Sequence, residues 1–311
     1  MAYLGDYIAV IKKAKSKLRH VDPNHRFEAL DSIILAILIT WAFIILIPFI
    51  SVIAVSLATP KEYLDSPLLL FPSHPTFDNY KSLFAGGRIF VGYRTTLSIL
   101  LIGVPINMFL TTSVSFALSR PDFPLKKFFL YAILFTMLFN GGIVPMYLLM
   151  MELGLTNTLW AVIFAYGVNT FYMNIMRSYF RTLPDSLMES ARLDGAGEWR
   201  ILLLIVLPLS MPIIATILLF YCVDRWNEWF NAMIFIRRNT MVPLQLVLRS
   251  IILESTAERS LVASQSAIQQ SSFTDGLKMS AVIVTMLPIM CVFPFLQKHF
   301  IKGILIGAIK A

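Results

Sequence analysis

Hydrophobic and polar positions segregate along this chain into blocks. Six runs, 32–60, 95–119, 128–151, 153–176, 201–223 and 279–297, contain no Asp, Glu, Lys or Arg and hold nearly half of the 311 residues. A hydrocarbon core about 30 Å thick needs about 20 helical residues to cross it. In that solvent a segment must satisfy its own backbone hydrogen bonds, which a helix does. The pattern therefore predicts an all-α integral membrane protein with six transmembrane helices, as a domain over 31–300 with short segments at 1–30 and 301–311.

Composition agrees: 57% of residues are hydrophobic and 14% charged, against about 25% charged in soluble domains. A soluble enzyme or nucleic-acid binder is excluded despite the net charge of +8. The basic excess follows a topology rule instead. Segments 1–31, 120–127, 177–200 and 298–311 carry 16 of the 26 Lys and Arg residues, and the longer segments 61–94 and 224–278 carry 10. Lysines and arginines concentrate in short cytoplasmic loops, so both termini are expected inside. The cluster Lys12, Lys13, Lys15, Lys17 and Arg19 anchors that orientation. About thirty mostly polar residues precede the first apolar run, which points to an uncleaved anchor rather than a signal peptide. Cys222 and Cys291 fall in or beside apolar runs and form no metal-type pair, so they are read as small buried hydrophobes.

Seven prolines interrupt the runs, among them Pro105, Pro208 and Pro212, as bundles that change shape tolerate. Asn140, Gly141 and Gly142 break the third run. In the fourth, Tyr166, Asn169, Thr170, Met173 and Asn174 recur at spacings of three and four, a polar face on a continuous helix. Such a face lines either a solute pathway or an interhelical hydrogen-bond seam. Catalytic patterns are missing: there is no phosphate-cradling glycine loop, no HExxH and no GxSxG, and no metal site is expected from the four histidines. No run carries an ionisable coupling group, so the energy for any transport comes from another subunit.

The most informative segment is the gap between the fourth and fifth runs, about 181–212. Pro184 and Asp185 open a short helix. Leu183, Leu187 and Ala191 form a narrow apolar ridge, and Glu189 can pair with Arg192 three residues on. Gly195 and Gly197 allow a sharp turn into the next helix. A helix of this kind inserts into a groove on a partner or rests on the membrane surface.

The run Glu189-Ser190-Ala191-Arg192-Leu193-Asp194-Gly195-Ala196, followed by Ile205, Leu207, Pro208 and Pro212, resembles the EAA loop of binding-protein-dependent ABC importer permeases, with serine for the second residue. Three other segments resemble the carbohydrate branch: Phe71 to Phe84 (FPSHPTFDNYKSLF), Ala117 to Arg120 with Phe123 and Lys126, and Trp226-Asn227-Glu228-Trp229. So does the ending Phe300 to Lys310. Taken together the chain resembles the second permease of maltose-like oligosaccharide importers, particularly the subgroup for larger sugars such as alginate or pectin fragments.

That resemblance implies a six-span permease with no cofactor of its own. It implies a homologous second permease, two cytoplasmic ATP-binding subunits that hold ATP and Mg, and an extracytoplasmic solute-binding protein delivering a sugar or oligosaccharide. Glu189, Ser190, Ala191, Asp194, Gly195 and Ala196 become the ATPase-coupling residues, with Pro208 and Pro212 as the hinge. Asn140, Tyr166, Asn169, Thr170 and Asn174 are the candidate solute pathway. Trp226, Asn227 and Trp229 are candidates for binding-protein contact or for an interfacial aromatic belt. The rival readings are a permease for a peptide, amino acid or phosphate, and a membrane scaffold or enzyme without transport.

Overall fold

A computed structural model describes residues 29–66, 69–261 and 274–308, which contain helices and no strand. The basic cluster Lys12 to Arg19, and with it nearly all of the 1–30 segment, lies outside the described residues. So do 309–311 of the tail and the side chains of the Phe300 to Lys310 motif.

The chain divides into two units, 1–52 and 53–311. In the first, residues 29–52 belong to helix α1 (Ala29–Ser56), whose large apolar side chains are exposed from Ile33 to Ile50. The second unit begins at the end of that helix and continues through α2 (Pro60–Asp65) and α3 (Asp78–Ala85), where the first outer-loop motif acquires a physical reason. The amide groups of Asn79 and Thr76 and the hydroxyl of Tyr80 bind the Ser56 and Ala58 carbonyls, the Leu57 carbonyl and the Ser56 hydroxyl, at 2.7 to 3.1 Å. Carbonyls that a helix end leaves without a partner are satisfied by this segment.

Three of the six uncharged runs are single helices: α1, the stretch Arg88–Ser119, and α16 (Thr274–Ala308). The other three are broken. The third bends by 117° between α6 (Lys126–Leu138) and α7 (Ile143–Glu152). Its cause is Gly142, at φ +92° and ψ 175°, a conformation that only glycine adopts readily. The fourth bends by 54° between α8 (Leu159–Ala165) and α9 (Thr170–Phe180), and the fifth by 89° where Glu198–Leu209, with α11 (Glu198–Ile201) and α12 (Leu207–Leu209), meets α13 (Met211–Trp226). Pro208 and Pro212 flank that last bend, and the fully buried Ser210 sits in it.

Two π-helical turns, Ile99–Gly103 and Leu202–Val206, each stand two residues before a proline, Pro105 and Pro208. Proline cannot donate its amide and crowds the carbonyl four residues back, so the helix widens there rather than closing normally. In Arg88–Ser119 the widened turn links α4 (Arg88–Ser98) to α5 (Val104–Ser119).

The region expected as a simple outer loop, 224–278, is largely helical where described. It contains α14 (Phe230–Phe235) and α15 (Leu244–Leu261), which packs on α4 and α16. The cysteines depart from expectation in part: Cys222 is half-buried, whereas Cys291 is exposed.

Candidate coupling and pathway sites

The segment 181–197 folds as a short helix, α10 (Asp185–Leu193), with Pro184 as N-cap, Asp185 in the first turn and Arg192 in the last. Acidic and basic residues at those ends complement the helix dipole. Asp194 is the C-cap, and the chain reverses at Gly195 with φ +82°. The Gly195 amide donates to the Arg192 carbonyl at 3.0 Å and the Ala196 amide to the Ala191 carbonyl at 2.9 Å. These are the two bonds of a Schellman cap, and Ala191 and Ala196 pack against the same core as its apolar contact. Gly197, at φ −72°, needs no glycine-only conformation, so the turn rests on Gly195 alone.

The helix face keeps Leu183 and Ala191 of the ridge read from the sequence and differs at Leu187. Met188 is the buried residue, seated among Phe116, Phe180 and Ile201 with Leu183 and Ala191 beside it, while Leu187 is exposed. Arg120 fixes that seat. It is buried, lies 4.9 Å from the Phe116 ring centroid, donates to the Met188 sulfur and stands 3.9 Å from Asp185. Burial pushes the Arg120 pKa down and the neighbouring Asp185 carboxylate opposes that shift. Lys126 in turn donates to the Arg120 carbonyl at 2.7 Å. The Ser119, Arg120 and Lys126 motif is thus the socket in which α10 rests.

Arg192 does not pair with Glu189. It donates to Glu198 at 2.8 Å and stands 3.5 Å from Asp122, and the Glu198 hydrogen bond raises its pKa. Glu189, Ser190, Leu193 and Asp194 are left exposed, with Leu193 89% exposed. A carboxylate without an ion pair among the described residues, beside exposed leucines, forms a face that is free for another chain.

At the fourth-run break the expected continuous polar face does not exist, because α8 ends at Ala165 and α9 starts at Thr170. Asn169 is the N-cap of α9, its side chain accepting from the Phe171 and Tyr172 amides. The Asn174 amide donates to the Thr170 carbonyl at 3.0 Å, and Met173 is fully buried. Tyr166 and Asn140 instead meet around one cavity of about 150 Å³ between the third and fourth breaks. Tyr166 and Asn169 also line a second cavity of about 290 Å³ with Asp224, Asn227, Trp229 and Phe230. Residues assigned separately to pathway and outer loop therefore share one polar, aromatic wall. Thr170 and Asn174 line neither cavity.

Trp226 sits in the core rather than on an outer surface. It is 7% exposed, packs near Tyr93 and donates its indole proton to the Thr285 carbonyl. Asn227 is exposed and accepts from Gln245, and Trp229 stands half-buried under the Arg249 guanidinium, 4.0 Å away. Helix α13 runs past the uncharged run through Asp224 and Arg225. Sequence reasoning missed that Arg225 is buried, at 3% exposure. It donates to Asn107 Oδ1 and the carbonyls of Val162, Ile163 and Tyr166 at 2.9 to 3.0 Å, and Glu228 stands 3.7 Å away. The available signal was Asn107 in the middle of an uncharged run.

Residues 89–306 match the family described as binding-protein-dependent transport system inner membrane component. The chain belongs to this family. As a permease it is 36% identical over 283 residues to the polygalacturonan/rhamnogalacturonan transport system permease protein YtcP of Bacillus subtilis, a match covering 90% of this chain and 98% of that one. The diacetylchitobiose uptake system permease protein NgcG of Streptomyces coelicolor is 26% identical, with 92% of this chain and 90% of that one covered. Among solved structures, a bacterial ABC transporter involved in the import of the acidic polysaccharide alginate matches with a TM-score of 0.79 and 28% identity, over 88% of this permease and 98% of that chain.

Proposed function

We propose that this permease forms half of the translocation pathway of an ATP-driven importer for a sugar or oligosaccharide. It crosses the bacterial cytoplasmic membrane six times with both termini inside. A homologous second permease forms the other half, two ATP-binding subunits bind ATP and Mg at the cytoplasmic face, and an extracytoplasmic binding protein delivers the solute. The names of the relatives, which span polygalacturonan/rhamnogalacturonan, diacetylchitobiose and alginate, support the carbohydrate class.

The observation that carries the mechanism is the construction of α10. One side is keyed into the permease by Met188 and Arg120, and the other presents Glu189, Ser190, Leu193 and Asp194 outward. A helix built this way moves with the partner that grips its free face and passes the displacement to the core that holds its buried face. Chemistry on this chain is not required, because the work comes from the ATPases. A cysteine placed by Ser190→Cys is expected to crosslink to an ATP-binding subunit in assembled transporter. Reaction with lipid-side probes alone would instead mark α10 as an interfacial helix.

The wall of Tyr166, Asn169, Asn227 and Trp229, with Asn140 in the smaller cavity that Tyr166 also lines, suits a sugar, since amides and hydroxyls bind its hydroxyl groups and aromatic rings cover its apolar faces. Asn227 and Trp229 also remain the residues proposed for binding-protein contact. Trp229→Ala is expected to raise the half-saturating solute concentration about tenfold, the equivalent of losing one aromatic contact of 1 to 1.5 kcal/mol. Asn174→Ala is expected to leave uptake kinetics unchanged, because that amide is spent on the Thr170 carbonyl. Equal effects of the two changes in an uptake titration would reject the assignment of the wall.

A further inference from the structure

The buried Arg225 guanidinium is expensive to desolvate, and an apolar residue of similar size is often an adequate filler at such a position. Its placement is specific. The last carbonyls of a helix have no partner within it and carry the negative end of the dipole. Helix α8 ends at Ala165, and Arg225 donates to Val162 and Ile163 within its last turn and to Tyr166 just beyond it. Asn107 completes the arrangement. Its Oδ1 accepts from Arg225 Nε at 3.0 Å, and its Nδ2 donates to the Tyr166 and Gly167 carbonyls at 3.1 and 2.8 Å.

The other side of the break is held from the same helix. One turn before Arg225, the Tyr221 hydroxyl accepts from the Asn169 amide at 2.9 Å and bonds Thr111 at 2.6 Å. Helix α13 therefore grips both the carbonyl end of α8 and the amide end of α9. At its opposite end α13 begins at the 89° bend that follows the α10 loop. A planar fork bonded to several carbonyls transmits both direction and rotation, which a point charge on a flexible stem does not.

We propose that Arg225 and Asn107 form a clamp through which α13 carries displacement of the α10 loop to the fourth-run break, so that the cavity wall at Tyr166 moves with the ATPases. Both are positioning residues. The proposal rests on the importer reading above, and the test separates the two. Tyr166→Cys, in a chain carrying Cys222→Ala and Cys291→Ala, leaves the clamp intact because only the Tyr166 carbonyl takes part in it. Its labelling by a membrane-impermeant maleimide is measured in the assembled transporter, with and without ATP plus vanadate.

With Arg225 present the labelling rate is expected to change about fivefold or more between the two conditions, the lower range of coupling between distant sites. Arg225→Met is expected to abolish that change, while Ser190→Cys still crosslinks to the ATP-binding subunit. Arg225→Lys, which keeps the charge and loses the fork, is expected to assemble and retain a reduced change. No change with Arg225 present overturns the importer reading, and the clamp with it. A full change in Arg225→Met overturns the clamp alone. If Arg225→Met does not assemble, Arg225→Lys decides: a full change, or failure to assemble, makes the residue purely structural and overturns the proposal.

Discussion

Gly195→Trp is expected to abolish solute uptake while the chain still inserts in the membrane. The turn after α10 requires φ +82°, and a residue with a Cβ in the left-handed region costs roughly 1 to 2 kcal/mol. That strain alone displaces the loop from its docked geometry by about a factor of ten. The space around a Cβ at Gly195 is open, with no atom within 4 Å, so the chain itself does not reject the bulk. The indole instead projects from the exposed face that the ATP-binding subunit is proposed to grip. Strain and obstruction therefore add, and neither touches the buried core. Gly195→Asn separates them, because asparagine tolerates this backbone region at small size and is expected to keep most uptake. Normal transport by Gly195→Trp, measured against equal amounts of membrane-inserted protein, would sink the coupling role of the loop.

The loop around Gly195 was legible in the sequence because its determinants are local. A proline, a first-turn acid, an Asp-Gly turn and a Leu-Pro hinge act within a few residues of one another. The existence of long apolar segments was legible for the same reason, since uncharged length follows directly from the thickness of a bilayer. Their bends were not. An uncharged run reports how long a segment is and nothing of its direction, and the three breaks depend on the Gly142 backbone, on Ser210 between two prolines, and on side chains from other helices.

The fourth-run break shows how spacing misled. Tyr166 and Asn169 fit a helical period, yet the period means nothing once Arg225 and Asn107 take the carbonyls of Val162, Ile163, Tyr166 and Gly167 and the helix stops. Arg225 is hidden from a reading of uncharged runs, because such a run stops at the first charge, Asp224. Arg225 continues α13 instead, and apart from Glu228 three residues on, the groups it hydrogen-bonds lie 59 to 118 residues away in sequence. Met188 is hidden for a similar reason. Leu183 and Ala191 of the apolar ridge do pack inward, but the socket made by Arg120 and Phe116 takes Met188 and leaves Leu187 outside.

Glu189→Lys is expected to reduce uptake to background and to release the ATP-binding subunits from the purified permease. Glu189 is exposed and forms no ion pair with a described residue, since its helical neighbour Arg192 is held by Glu198 and Asp122. Reversing its charge therefore changes the stability of this chain by only about 0.5 kcal/mol. At a docking surface the outcome differs. The carboxylate is proposed to meet a basic side chain of the ATP-binding subunit, and opposing two like charges in a closed interface costs several kcal/mol, about a thousandfold in affinity. Glu189→Gln, which removes the charge without reversing it, is expected to fall between the two. Reversal of the basic partner on the ATP-binding subunit is expected to restore association with Glu189→Lys. Copurification of the subunits, read beside uptake, decides the matter: wild-type association by Glu189→Lys would place the grip elsewhere on the 181–212 loop.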